Sequence, residues 1–399
     1  MPPPNNAHNP LAGPGDDYTK ILHSDTYEAI DSSKANLHGK NVFICGASKG
    51  IGRSITLSFA KAGASCIAIG ARSDQAALEK DIQDAAAVAK KSPPKVLLVT
   101  LDVTDQKSIE RAAANVENRF GRLDILVQNA GIVGTPGPIV DSDPESWWKT
   151  WDVNVRGPYL VTRAFLPLML QGGDKQIVNV SSVGAHLTEP GLSSYQTSKL
   201  ALLRFTEFVV SEYGEKGVLA FCIHPGNIPG TDILGPGGVP DVLKHIFTET
   251  TELPADTIVY LTQEKRDWLA GRYVNCTWDM PELIAKKDEI IKEDKLKKTE
   301  NKISENLSSD MDKVGGVLGG VTDTAGKTVS GVTDTAGSAV GGVGNTLGDT
   351  TKGLTGTVGD TAKGAGSTVS DTTSGVGDTA KGATGAGGKQ DAQNPLGLS

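Results

Sequence analysis

The sequence predicts an α/β fold, a doubly wound parallel sheet with helices on both faces. One domain carries it, with an N-terminal arm and a low-complexity C-terminal tail. Three observations support that reading. Short apolar, β-branched runs alternate with longer helical patterns between about residues 40 and 295. The first run passes directly into a glycine turn and a helix start. Polar residues gather just past the ends of the runs, where an open parallel sheet binds its ligands.

Residues 1–38 form the arm. Its first fifteen residues are rich in Pro, Asn and Gly and are predicted to be disordered. Tyr18-Thr-Lys-Ile-Leu and Thr26-Tyr-Glu-Ala-Ile30 carry enough apolar side chains to dock on the main domain, with a plain linker as the alternative.

The body spans residues 39–295. A strand over Asn41–Cys45 leads into Gly46-Ala-Ser48-Lys49-Gly50-Ile51-Gly52 and then a helix marked by Ile55, Leu57, Phe59 and Ala60. Glycines allow a ligand to approach the backbone closely, and the first-turn N–H groups with the helix dipole face an anion. The spacing, Gly-x3-Gly-x-Gly, differs from the common Gly-x-Gly-x-x-Gly, so its place between strand and helix carries the weight. The next strand, Ser65–Gly70, ends in Ala71-Arg72-Ser73. Sites that bind NAD put an acidic residue near this end for the ribose hydroxyls. A guanidinium here, with Lys49 in the glycine loop, suits a 2′-phosphate instead. NADPH is therefore favoured, with NADH as the alternative and Asp74 as the counter-argument.

The alternation continues with a strand over Val96–Leu101 ending at Asp102-Val103, a helix over Lys107–Phe120 and a strand over Leu123–Val127. The turn Gln128-Asn129-Ala130-Gly131 follows. Trp148–Leu170 is predicted helical, with Asn154 partway along it. A strand over Gln176–Val180 delivers Ser181 and Ser182 at its C-terminal end, and Val218–Ile223 is a further strand ending in His224-Pro225-Gly226.

Between those last two strands lies the chemistry. Tyr195 and Lys199 stand four residues apart at the head of an apolar helical run, so they share one face. A free phenol, with a pKa near ~10, is a poor acid or base at neutral pH. A neighbouring cation favours phenolate and could lower that value by about 1–3 units. A tuned phenol exchanges a proton with a hydroxyl, an effect of about 10²–10⁴-fold in rate. Ser182 would hold the substrate oxygen against Tyr195. The spacing alone also fits an ordinary surface helix.

Composition excludes several classes. A net charge of −8 gives no footprint for a nucleic-acid binder. Cys45, Cys66, Cys222 and Cys276 fall in strand-like runs without a Cys-x-x-Cys pair, so they read as core residues; neither a disulfide frame nor a metal site is expected. There is no leader pattern, no apolar run that could span a bilayer and no C-terminal Ser-Lys-Leu, so a cytoplasmic address is expected.

Taken together, residues 18–295 resemble the single-domain short-chain dehydrogenase/reductases. The resemblance rests on Gly46-x3-Gly50-x-Gly52, Asp102-Val103, Asn129-Ala130-Gly131, Asn154, Ser182, Tyr195-x3-Lys199 and Pro225-Gly226, in the family's order. Tyr18-Thr-Lys and the ending Leu269-Ala-Gly-Arg-Tyr-Val274, Trp278-Asp279 and Glu289-Ile-Ile look most like a fungal subgroup. The resemblance implies a Rossmann-like fold and a role at each position. Gly46, Gly50 and Gly52 would form the pyrophosphate turn, with Ser48, Lys49 and Ile51 of the same loop also binding the cofactor, and Asp102 and Val103 would contact the adenine. Asn129, with Ala130 and Gly131, would line and support the cofactor's strand. Tyr195 would be the acid/base, Lys199 would tune it and bind the nicotinamide ribose, and Asn154 would hold a water in a relay to Lys199. Ser182 is preferred to Ser181 because it precedes Tyr195 by thirteen residues, the family's usual separation. Pro225 and Gly226 would face the cofactor carboxamide.

Two departures matter. Gln128 replaces the usual first Asn of its turn, and the loop from Pro225 to Thr231 is one residue longer than usual. The rim residues 132–143 and 227–252, with Val242, Leu243, Ile246 and Phe247, imply an apolar carbonyl or alcohol as the small-molecule substrate. His186 reads as a solvated loop residue rather than a substrate contact, and Trp147, Trp148 and Trp151 as helix packing rather than a ligand box. The family also implies a homodimer or homotetramer through helices near 156–170 and 193–213. The expected function is NADP(H)-dependent interconversion of a carbonyl and an alcohol. The rival is a non-catalytic nucleotide-binding or scaffold protein whose tail associates with membrane or lipid, and the intact Asn154, Ser182, Tyr195, Lys199 set weighs against it.

The tail, residues 296–399, repeats every eleven residues, as in Asp323-Thr-Ala-Gly, Asp334-Thr-Ala-Gly and Asn345-Thr-Leu-Gly. An eleven-residue period, ~3.67 residues per turn, would keep one apolar stripe on one helix face. Nearly half of the chain's 48 glycines lie there, and each costs about 1 kcal/mol in a helix. Disorder is therefore expected in water, with a helix conditional on a membrane or lipid surface as the alternative. The pattern is similar to late-embryogenesis-abundant and lipid-droplet-coating proteins.

Overall fold

The computed structural model describes residues 17–297, apart from 74, 232, 234–237 and 240. The chain divides into two units, Met1–Ile303 and Ser304–Ser399. The repeat tail, the first sixteen residues and Asp74 lie outside the described residues, and so do the expectations placed on them.

Seven strands form one sheet: β1 (Asn41–Cys45), β2 (Cys66–Ala71), β3 (Lys95–Thr100), β4 (Ile125–Gln128), β5 (Gln176–Val180), β6 (Leu219–His224) and β7 (Tyr273–Asn275). Their order is β3-β2-β1-β4-β5-β6-β7, and every neighbouring pair is parallel. The predicted doubly wound sheet is thus observed. β7, three residues long, lies in the strand-like run that ends at Cys276. The strand order reverses between β1 and β4, which opens a crevice at their C-terminal ends.

The period-2 alternation of the strands divides the core. Val42, Ile44, Ile67, Ile69, Val127 and Phe221 pack on one face against α1 (Gly50–Lys61), α2 (Ala76–Val88) and α7 (Glu252–Thr262). Phe43, Cys45, Leu126 and Ile177 pack on the other against α3 (Gln106–Phe120), α5 (Gly157–Leu170) and α6 (Ser193–Tyr213). The rings of Phe43 and Phe165 stack there at 4.4 Å. All four cysteines are buried free thiols.

The predicted helix over 148–170 is two helices with a joint. α4 (Pro144–Trp151) starts with Asp143 as its cap, which accepts from the Ser146 N–H at 2.8 Å. A π-helical turn over Asp152–Arg156 follows, then α5. Pro158 has no N–H to give the Asn154 carbonyl, so a regular α ladder fails at this point. Gly157 N–H reaches instead to the Asp152 carbonyl.

The described part of the arm is docked, not a linker. Leu22 bridges Trp278 in antiparallel fashion, and His23 N–H donates to Thr277 O at 2.7 Å. The Tyr27 hydroxyl accepts from the N–H of Met280, the first residue of α8 (Met280–Ala285), at 2.7 Å. A last short helix, α9 (Lys287–Lys292), follows.

Candidate active site

The glycine turn after β1 is shaped by contacts a side chain would destroy. A Cβ at Gly46 would lie 2.9 Å from the Ala130 Cα, and one at Gly52 would lie 2.6 Å from Asn129 Nδ2. Asn129 Nδ2 donates to Gly46 O at 2.8 Å, so the β4 turn holds the glycine turn closed. Lys49 stands at the N-cap of α1, which has no side-chain cap there, and a helix N-terminus of this kind suits an anion. Ser48 and Ile51 are half-buried and Lys49 is exposed in the same loop. Gly50, at φ +53°, faces Thr231, whose Cγ2 would be 3.7 Å from a Cβ there. The longer loop after Pro225 therefore still brings its threonine over the glycine turn.

At the neighbouring strand ends, Arg72 is exposed just past β2. Asp102, past β3, accepts from the Thr104 N–H at 2.9 Å and the Thr104 hydroxyl at 2.7 Å. Burial pushes its carboxyl up, but these bonds and the charges of Arg72 and Lys149 outweigh that and hold it below the usual range. Val103 packs against Gly157 at the start of α5.

Asn154 sits in the π turn, fully buried. Its Oδ1 accepts from the Ile132 N–H at 3.0 Å, and its Nδ2 donates to Ile132 O at 2.8 Å and to the Ser198 hydroxyl at 3.0 Å. Ser198 donates in turn to Tyr195 O at 2.6 Å. A Cβ at Gly131 would meet Lys199 Nζ at 3.2 Å and Asn154 Oδ1 at 3.3 Å. The β4 turn, the π turn and α6 thus converge on one point.

Ser182, past the end of β5, accepts from the Gly184 N–H at 3.0 Å, and a Cβ at Gly184 would meet both its hydroxyl, at 3.3 Å, and the Tyr195 ring, at 3.5 Å. The predicted pair stands together on α6. Lys199 Nζ lies 5.8 Å from the centre of the Tyr195 ring and donates to Val180 O at 2.8 Å. Burial pushes the Tyr195 phenol up, and the Ser182 hydroxyl offsets only part of that. Burial also pushes Lys199 down, to about 8. Desolvation is thus the largest influence on both groups, and the ammonium is turned onto the Val180 carbonyl.

His186 also differs from expectation: its ring meets Tyr273 edge-on at 4.7 Å and is half-buried, so it is no solvated loop residue. Trp147 and Trp151 stack at 5.8 Å, and Trp147 Nε1 donates to Ser193 Oγ at 3.1 Å, which ties α4 to α6. The rim segment after β6 lines an open pocket of about 670 Å³, whose lining mixes Pro229, Val239 and Phe247 with the Asp241–Lys244 ion pair.

The model of the short chain dehydrogenase family matches residues 40–236. The short chain dehydrogenase pigC of Monascus ruber is 60% identical over 299 residues, covering 74% of this chain and 98% of that protein. The chain belongs to the short chain dehydrogenase family. The short chain dehydrogenase andI of Emericella variicolor is 42% identical over 71% of this chain and 96% of its own length. Among solved structures, a Serratia marcescens short-chain dehydrogenase/reductase is 26% identical with a TM-score of 0.53, covering 60% of this chain and 96% of that one. The family binds NAD(P), and the cradle built by Gly46, Gly52 and Asn129 fits a dinucleotide pyrophosphate.

In this short chain dehydrogenase, sequence reasoning missed a buried polar chain beneath the site. Gln128 Nε2 donates to Thr162 Oγ1 and to Asn179 Oδ1, both at 2.9 Å, and Asn179 Nδ2 donates to Thr206 Oγ1 at 2.7 Å. Gln128 is thus long enough to join α5, β4, β5 and α6. The legible signal was a polar residue at inward positions of two apolar strands. His224 was also missed: burial pushes it down to about 3, so it is a neutral imidazole beside the site.

Proposed function

We propose that this oxidoreductase interconverts a carbonyl and an alcohol with NADP(H), using Tyr195 as acid/base. The observation that carries the reading is the convergence of Ser182, Tyr195 and Lys199 past the end of β5, next to the Gly131 turn. The bound nicotinamide supplies the hydride chemistry. Ser182 would hold the substrate oxygen, and Tyr195, protonated in the free chain, would deliver its hydroxyl proton to that oxygen in the reducing direction. Lys199 would reach the cofactor ribose and favour the phenolate left behind. Asn154, locked to Ile132 and Ser198, would fix the π turn against α6 and keep that proton path in register.

Arg72 and Lys49 would bind the 2′-phosphate, which favours NADPH over NADH. The substrate would be a small molecule with an apolar body. A cytoplasmic homodimer or homotetramer completes the reading. The test is a screen of ketones and alcohols with both cofactors, with Tyr195→Phe as control. Turnover is expected to fall about 10²–10⁴-fold in that variant while cofactor still binds. Unchanged turnover removes Tyr195 from its role, and a clear NADH preference removes Arg72 from its own.

A further inference from the structure

Just past β6, Gly226 adopts φ +98° and Gly230 φ +73°. A backbone stretch that turns on two such glycines has little of its own to fix its direction. Glu249 supplies the missing constraint. Its Cγ lies 2.7 Å from the place a Gly226 Cβ would take. Asn227 N–H donates to Glu249 Oε2 at 2.7 Å, and Glu249 N–H donates back to Asn227 O at 3.3 Å. The Thr248 hydroxyl donates to the other carboxylate oxygen at 3.1 Å.

The base on which Glu249 stands is itself tied down. Thr250 N–H donates to Ser24 O at 2.9 Å, and the Thr250 hydroxyl donates to Asp25 at 2.6 Å. The Ser54 hydroxyl, on the helix that follows the glycine turn, donates to the Thr251 hydroxyl at 2.8 Å. Arm, phosphate-facing helix and post-β6 loop thus meet at residues 249–251.

We infer that Glu249 is a positioning residue for the nicotinamide end of the cofactor, setting the Pro225–Ile228 segment by its grip on the Asn227 N–H. The inference deepens the function proposed above and rests on that reading, with Pro225 and Gly226 taking the place beside the carboxamide that the family resemblance implies. A loosened segment costs affinity only for a ligand that reaches it.

The experiment measures dissociation constants for two ligands by calorimetry. One is the intact dinucleotide, NADPH or NADH, whichever binds tighter. The other is the same molecule without nicotinamide, ADP-ribose or its 2′-phosphate. Glu249→Ala and Glu249→Asp, the latter one methylene short of Asn227, are expected to weaken the intact dinucleotide about tenfold and leave the truncated ligand within about twofold. Glu249→Gln keeps an acceptor at the right reach and is expected to bind both like the native chain. If the alanine variant does not fold, the aspartate and glutamine variants decide the matter. Equal losses for both ligands, or an unweakened dinucleotide in Glu249→Asp, overturn the inference. A native chain that binds neither ligand overturns the cofactor reading and this inference with it.

Discussion

Burial holds the Lys199 ammonium down to about 8, whereas a lysine in an unfolded chain titrates near ~10.4. The sign of the consequence follows from linkage. Between those two values the unfolded chain binds more protons, so stability rises with pH across that window. Below pH 8 the cost of the buried charge is present in full. Lys199 is thus kept in a place where it weakens the fold, within reach of the Gly131 turn and Asn154. Lys199→Met is expected to raise the melting temperature at pH 7 by a few degrees, about 1 kcal/mol after the lost bond to Val180 O is set against the removed charge. The gain should shrink above pH 10, and turnover should vanish. Calorimetry at both pH values checks the first part, and an unchanged or lower melting temperature at pH 7 contradicts it. The phenol tells a related story. Four residues of helical spacing place Tyr195 and Lys199 on one face, but only the surroundings decide that the ammonium turns to Val180 O.

The π turn over Asp152–Arg156 is the element on which the site's register depends. It carries Asn154 into a pocket where three hydrogen bonds hold it to Ile132 and Ser198. Asn154→Ala leaves the Ile132 N–H and C=O without that side-chain partner, so a loss of about 2–4 kcal/mol is expected by urea unfolding. Turnover should fall further than occupancy explains, because α4 and α6 lose a shared anchor. A variant as stable as the native chain would show that water replaces the amide without cost. Strands β1, β2, β5 and β6 were legible because buried parallel strands are near-continuous apolar runs. The π turn was not, since a single i→i+5 turn is too short to leave a periodicity in the sequence beside Gly157 and Pro158. The docking partner of the arm was illegible for another reason. His23 pairs with Asp279 at 3.0 Å, and nothing local in either stretch announces a contact so distant in the chain. Glu249 stayed hidden the same way, its grip on Asn227 lying across a Gly- and Pro-rich loop.

Two cores on opposite faces of one sheet and a crevice where its strand order reverses leave the outer surfaces of α5 and α6 available for assembly. There Tyr159 is 49% exposed and Phe208 56% exposed, and Tyr159 meets Phe205 edge-on at 6.3 Å. Large aromatic side chains left in water on two adjacent helices are the kind of surface that a second copy covers. A stable pairing needs about 1,000 Å² or more of buried area, which two helices of 14 and 21 residues can supply when each meets its symmetry mate. Phe208 points away from the polar chain that joins Gln128 to Thr206, so a charge placed on it leaves the interior of the domain intact. Phe208→Glu is therefore expected to lower the molar mass seen by light scattering on a sizing column, from two or four chains toward one, with the melting temperature of the domain changed little beyond what dissociation explains. A variant that keeps the native mass would move the contact to other surfaces, and a native chain that runs as a monomer at micromolar concentration would remove the assembly altogether.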